Sequence, residues 1–300
     1  MGYPVEHGSL ALRVMYRGFR IVRGIFTAIA TGGMTVMTLG HSWFKAPFDV
    51  EYHEVPMPLH GLPASFDGFR IAHLTDLHTG DTTPIWFVEQ VVARVNDIGC
   101  DLVVITGDLV TNRRKWVERL CKALAPLNAP VIVTLGNHDH AIHQEADLAD
   151  VLTARLTETG FTVLRNRAMP IEHADGRLWL VGLEDLWTGL ISPSQAFAAV
   201  AAHEPAIALS HNPDTAGLCD VYGAQWTLSG HTHGGQIDLP VVQRLALPMR
   251  FRDLDRGLFR FPQSRLYVSR GVGFYRRVRF LCRPEVPFFV LNRELSDSVI

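Results

Sequence analysis

Five short stretches carry acids, amides and imidazoles in a set order: Asp76-Leu77-His78, Gly107-Asp108, Gly136-Asn137-His138-Asp139, Ser210-His211-Asn212 and Gly230-His231-Thr232-His233-Gly234-Gly235-Gln236. Most of them follow an apolar run that reads as a strand, which puts their polar side chains where strands end and loops begin. A fold that uses these residues together has to bring distant strand ends to one place. Oxygen and imidazole donors gathered in that way are what a two-metal hydrolytic site needs. The sequence therefore predicts hydrolysis of a phosphoester.

The text between the five stretches sets the fold class. Arg70 to Leu74 is a short apolar run, Ile85 to Ile98 has a helical pattern, and Asp101 to Thr106 is a continuous apolar strand. A second helix over Arg114 to Leu124 leads into Val131 to Leu135, and a third runs from about His143 to Glu158. Strands alternating with helices predict a βαβαβ unit with a buried, largely parallel sheet, whose sites lie at the carboxyl ends of the strands. The second half is richer in strands: 161–164, 178–181, 206–209, 226–228, 266–269 and 288–291, with one helix around Ser194 to Ala202. A segment from Val50 containing Pro56, Pro58 and Pro63 reads as an edge strand leading into a loop. The expected fold is α/β, a four-layer α/β/β/α sandwich of two mixed β-sheets flanked by helices.

Each stretch alone has an ordinary reading. Asp-x-His after a strand can be a capping Asp beside a surface His, and Gly-Asn-His-Asp can be a turn. His231-Thr232-His233 before two glycines can be a hairpin loop. Seven candidate donors in five strand-end loops, in one order, are hard to obtain by chance.

This order and spacing resemble the calcineurin-like metallophosphoesterase superfamily, whose pattern is D-x-H, G-D, G-N-H-[DE], H and G-H-x-H. The resemblance covers roughly Phe66 to the C-terminus. Gly182-Leu-Glu-Asp185-Leu-Trp, Ser210-His-Asn-Pro-Asp214, the Gly230–Gln236 stretch and Cys282-Arg-Pro-Glu285 look like its bacterial membrane-associated branch of YkuE- and YaeI-type phosphodiesterases and UDP-2,3-diacylglucosamine hydrolases. The resemblance implies two divalent metal ions, manganese foremost, with iron or zinc as alternatives. Asp76, His78, Asp108 and His233 would hold the first metal. Asp108 would bridge to the second, completed by Asn137, His211 and His231. His138 would contact the phosphate or protonate the leaving oxygen, with Asp139 orienting it from behind. The implied reaction is attack of a metal-bridging hydroxide on phosphorus, and the implied substrate is a phosphoester or pyrophosphate, lipid-linked in this branch. Substrate-binding residues are not readable; Arg276, Arg277 and Arg279 are candidates by clustering only.

Sister branches fit less well. Ser/Thr protein phosphatases extend the second motif as G-D-x-x-D-R-G, where this chain has Thr111-Asn-Arg, and purple acid phosphatases place a Tyr at Thr111. His73, His140 and His143 match no ligand position. The other enzyme reading is a general phosphodiesterase or phosphatase on soluble or periplasmic substrates. A non-catalytic scaffold is the third, and scaffolds of this fold usually lose ligands, of which none is missing here.

The net charge of −2 predicts no partner, and no nucleic-acid partner is expected. Eleven Arg between Arg244 and Arg283 could face an anionic substrate or form a solvated basic surface. The four Cys make neither a disulfide framework nor a thiolate metal site. In residues 1–49, Arg13, Arg17, Arg20 and Arg23 share one helical face, and Ile25 to Phe44 is apolar. That pattern predicts a membrane-associating segment before a catalytic domain over 50–300. It implies a membrane surface as partner and an inner-membrane location, with the catalytic domain on the cytoplasmic side or, alternatively, the periplasmic one.

Overall fold

The computed structural model describes residues 40–141, 147–238 and 253–294. Its architecture is two six-stranded sheets with helices on their outer faces, the α/β arrangement expected.

The first sheet has β1 (Glu51–Leu59), β2 (Arg70–Leu74), β3 (Leu102–Thr106), β4 (Val131–Thr134), β5 (Thr162–Val163) and, from the far end of the chain, β12 (Glu285–Arg293). Their order is β1-β12-β2-β3-β4-β5. Strands β2 to β5 run parallel, and β12 joins β2 antiparallel. Helices α1 (Ile85–Ile98), α2 (Val117–Leu124) and α4 (Leu148–Glu158) make the crossovers, and α3 (Asn137–His140) is a single turn after β4.

The second sheet holds β6 (Arg167–His173), β7 (Gly176–Gly182), β8 (Ala206–Leu209), β9 (Trp226–Ser229), β10 (Gly257–Arg260) and β11 (Arg265–Val268), in the order β10-β11-β9-β8-β7-β6. Two short helices, α5 (Pro193–Ala196) and α6 (Ala216–Val221), belong to this half.

The layers follow from the two-residue period of a strand. In β3, Leu102 and Val104 face the second sheet, while Val103 and Ile105 face the helices. In β7, Leu178 and Leu180 point into the space between the sheets, and Trp179 and Val181 point outward. The inter-sheet core thus joins Ile71, Val104 and Ile132 to Leu180, Leu209 and Leu228. On the other face of the first sheet, α1 lays down Phe87, Val88, Val91, Val92 and Val95, the stripe its helical spacing dictates. It stops at Gly99, whose φ of 80° suits glycine and whose N–H bonds to Val95 O.

Three elements depart from the sequence reading. The helix expected over Ser194 to Ala202 is only Pro193–Ala196, because little beyond Ala196 and Phe197 is buried there to hold further turns. Strands β6 and β10 were not foreseen. Both lie at sheet edges and are half exposed, and β6 contains Pro170, which argues against a strand except at an edge. The same rule explains Pro56 and Pro58, which sit in β1 at the edge of the first sheet as expected.

The inner-membrane location is corrected by the structure: among the described residues no helix is long and apolar enough to cross a membrane. The N-terminal segment behind that expectation, and behind the membrane surface as partner, lies for residues 1–39 outside the described residues.

Candidate metal centre

The structure brings all nine singled-out residues to one end of the two sheets. Asp76 and His78 follow β2, Asp108 follows β3, and Asn137, His138 and Asp139 form the turn after β4; His211 follows β8, and His231 and His233 follow β9. These strands are neighbours within their sheets, and the two loop groups meet across the inter-sheet core.

The backbone there is unusual. Asp76, His78, Asp108, His231 and His233 all have positive φ, between 43° and 71°. Non-glycine residues rarely adopt this conformation, and such strain gathers at functional sites. The loops are tied together: Asp76 N–H donates to Gly107 O (3.0 Å) and His78 N–H to Asp108 O (2.8 Å). Close approach also explains two glycines of the motifs. A Cβ at Gly136 would lie 2.3 Å from Asp108 Oδ1, and one at Gly230 would lie 2.2 Å from Asp76 Oδ2.

Asp108 is the hub. Its Oδ2 lies 3.4 Å from His78 Nε2 and 3.2 Å from His211 Nε2, and its Oδ1 accepts from His138 N–H at 2.9 Å. On one side His78 Nε2 lies 3.0 Å from His233 Nε2, which is 3.4 Å from Asp76 Oδ1. On the other side His211 Nε2 lies 3.2 Å from His231 Nδ1. The donor atoms of Asp76, His78 and His233 form one compact group, those of Asp108, His211 and His231 another, and His138 lies in a third with His78 and Asp108.

The donors fit metal ions. Asn137 Oδ1 is buried with no hydrogen-bond partner, which is costly for a polar atom unless something else satisfies it. His211 Nδ1 lies 2.8 Å from Thr106 O, an acceptor, so Nδ1 carries the proton and Nε2 is turned to the centre. Burial pushes His78 and His231 down to about 3 and His233 well below the usual imidazole value, which keeps these rings neutral, as ligands must be. Burial also lifts Asp76 to about 6. Burial opposes a charge on His211 too, but the carboxylates of Asp108 and Asp76 overcome it and raise the ring to about 10. That is the response of a positive group to a site of strong negative potential. The His and Asp side chains are therefore positioned to bind metal.

The surroundings of His138 differ from the expectation. Asp139 accepts from Gly136 N–H (3.0 Å) and Val110 N–H (3.0 Å), so it fixes the loop backbone. The side chain within hydrogen-bond distance of the His138 ring is Asn112, with Oδ1 3.1 Å from Nδ1. The sequence offered little signal for Asn112 beyond its place four residues after Asp108. His73 is a buried strand residue, 2.7 Å from Thr106 Oγ1. His140 pairs with Glu184 at 2.9 Å, and His143 lies outside the described residues.

The three clustered arginines separate completely. Arg279 is fully buried and donates to the carbonyls of His233, Gly271 and Gly273 behind the centre. Arg277 lies over the rings of Phe48 and Phe44. Arg276 lines a cleft of about 560 Å³ that opens on His78, Asp108, Asn137, His138 and His231, with Trp187 and Tyr275 in its wall.

Comparison with known proteins agrees with this geometry. Residues 69–235 match the family model described as calcineurin-like phosphoesterase. Among curated relatives, the uncharacterized metallophosphoesterase YkuE of Bacillus subtilis is 32% identical, over 91% of this chain and 96% of its own. The UDP-2,3-diacylglucosamine pyrophosphatase LpxG of Chlamydia trachomatis is 30% identical over 74% of this chain and 83% of its own. The phosphodiesterase YaeI of Escherichia coli is 32% identical over 74% of this chain and 82% of its own.

Proposed function

The chain belongs to the calcineurin-like phosphoesterase family and hydrolyses phosphoesters, and on that premise we propose that it cleaves a lipid-linked nucleotide pyrophosphate at a two-metal centre. The substrate is one such as UDP-2,3-diacylglucosamine, and the products are a lipid phosphate and UMP. Residues 50–300 form the catalytic unit.

The observation that carries the reading is the position of Asp108, whose one carboxylate faces both His78 and His211. Asp76, His78, Asp108 and His233 hold one cation; Asp108, Asn137, His211 and His231 hold the other. Asn137 uses its otherwise unpartnered Oδ1. Bound divalent cations supply Lewis-acid charge for the phosphoryl oxygens and acidify the attacking water. Mn²⁺ is the leading choice for this carboxylate, imidazole and amide set, and Fe²⁺ or Zn²⁺ are also accepted by such donors.

The chain's own residues do the rest. His138 stands at the cleft with its backbone N–H on Asp108 and its Nδ1 against Asn112, which leaves Nε2 free to give a proton to the departing oxygen. Asp139 and Asn112 position that ring through the loop and directly. The neutral rings of His78, His231 and His233 coordinate without cancelling the cationic charge that the phosphate meets.

The pyrophosphatase LpxG supports the substrate, and the phosphodiesterase YaeI supports the second reading, a general diester hydrolase. A metal-by-substrate screen separates them. Protein supplied with Mn²⁺ should bind close to stoichiometric metal and release UMP from the UDP-lipid. Hydrolysis of simple diesters with no UMP release would remove the lipid-linked nucleotide, and hydrolysis that survives complete metal removal would remove the two-metal centre.

A further inference from the structure

The Gly182–Trp187 stretch takes no part in holding metal, yet it builds one wall of the catalytic cleft. Asp185 is fully buried, and its Oδ1 accepts the Trp187 N–H at 2.8 Å. Thr188 Oγ1 donates to Asp185 O at 2.7 Å, and Asn166 closes the loop by accepting from Glu184 N–H and Ser192 N–H and donating to Leu190 O. This bracing displays the Trp187 indole, 47% exposed, perpendicular to His231 with ring centroids 4.3 Å apart.

A second braced loop faces the other group of ligands. Gly273 N–H donates to Asp76 O, Arg279 binds Gly271 O and Gly273 O from beneath, and Gln236 Nε2 donates to the carbonyls of Arg276 and Val278. This loop presents Tyr275, 50% exposed, with its ring centroid 5.5 Å from that of His138. Arg276, beside it, is exposed, lines the same cleft and enters no ion pair among the described residues. Two aromatic rings left half open beside a phosphoester centre, with a guanidinium on the same cleft that makes no ion pair among the described residues, match a planar ring carried on a phosphate chain.

We propose that Trp187 and Tyr275 are the subsite for the base of a nucleotide-linked substrate, with Arg276 contacting the phosphate that is not attacked. This inference rests on the phosphoester-hydrolase reading above and names which part of the substrate the cleft recognises. Stacking of a base on an aromatic ring tolerates any base, so the subsite selects for a nucleobase over a base-free phosphate more than among bases.

Calorimetric titration of the Mn²⁺-supplied full chain with UMP and with ribose 5-phosphate tests this without hydrolysis, so its failure is separable from failure of the reaction. UMP should bind about tenfold more tightly than ribose 5-phosphate. Trp187→Ala should remove most of that gap, Trp187→Phe should keep most of it, and Tyr275→Ala should narrow it. Equal affinity of the two probes for the unmodified protein overturns the proposal, as does a gap that survives both alanine variants. Tighter binding of dodecyl phosphate than of UMP, lost in Trp187→Ala, would assign the wall to an acyl chain and also overturn it. Both side chains are about half exposed, so their alanine variants should fold, and Trp187→Phe supplies a second variant that keeps the test decisive.

Discussion

The two sheets bring unlike chemistry to the centre. Loops of the first sheet supply both carboxylates of the cluster, Asp76 and Asp108, with the His78 imidazole, the Asn137 amide and His138; loops of the second supply only the imidazoles His211, His231 and His233. They are also braced differently. The first-sheet loops are zipped to one another backbone to backbone, whereas His231 N–H reaches across to the Asp76 carboxylate, at 3.1 and 3.0 Å from its two oxygens. Both carboxylates of the cluster thus reside on one sheet, and the other contributes imidazoles alone. The difference teaches that neither sheet holds a complete site, and that closing the sandwich is what assembles it.

The largest effect should come from the one carboxylate shared by both groups. Asp108→Asn should abolish hydrolysis and lower bound metal at both positions, measured by elemental analysis, while His211→Ala should lose metal at one position and retain it at the other. If both substitutions gave the same metal content, the division of labour between the sheets would fail. His138→Ala should lower kcat by about 10²–10⁴-fold with metal content unchanged, and Asn112→Ala should lower kcat by less. Equal metal loss in His138→Ala would make that ring a ligand instead of an acid.

The packing that joins the sheets can be weakened directly. Leu180 is fully buried between them, so Leu180→Ala should cost about 2–5 kcal/mol in denaturant unfolding. Activity per folded molecule should be kept. The smallest effect concerns a polar tie near the centre, where Glu184, after β7, accepts from His140 and Arg165. Burial opposes its charge, yet these two partners hold the carboxyl below its ordinary 4.5. A lowered acid stabilises the fold fully above the unfolded-state value and loses that contribution as pH falls through the folded-state value. Unfolding free energy should therefore drop below about pH 4.5 by on the order of 1 kcal/mol, and Glu184→Gln should flatten that part of the pH profile. An unchanged slope in the variant would show that the tie contributes nothing.

Much of the fold was legible because the central elements repeat one signal many times. The strand Arg70–Leu74 and the helix Ile85–Ile98 have the bounds that apolar spacing indicated, since each is buried along a whole face. Edge strands β6 and β10 were not legible, because exposure removes the pattern that burial imposes on sequence. The motif residues could be picked out one by one, but Asn112 and Tyr275 could not, and Trp187 stood in the Gly182–Trp187 stretch with no role attached to it. Their importance depends on what lies across the cleft, at His138 and His231, far away along the chain. The same holds for the arginines, where three near neighbours in sequence point to the protein interior, to a pair of phenylalanine rings and to the cleft.

What the chain's sequence determined alone was the donor inventory and the alternation of strands and helices, because residue type and local spacing carry those directly. Which candidate donors lie together, which asparagine faces His138 and which aromatic rings stand open at the cleft were decided only by tertiary structure. The physical reason is that each of these is a contact between loops separated by many residues, fixed by the register and packing of two sheets. No local pattern encodes that distance.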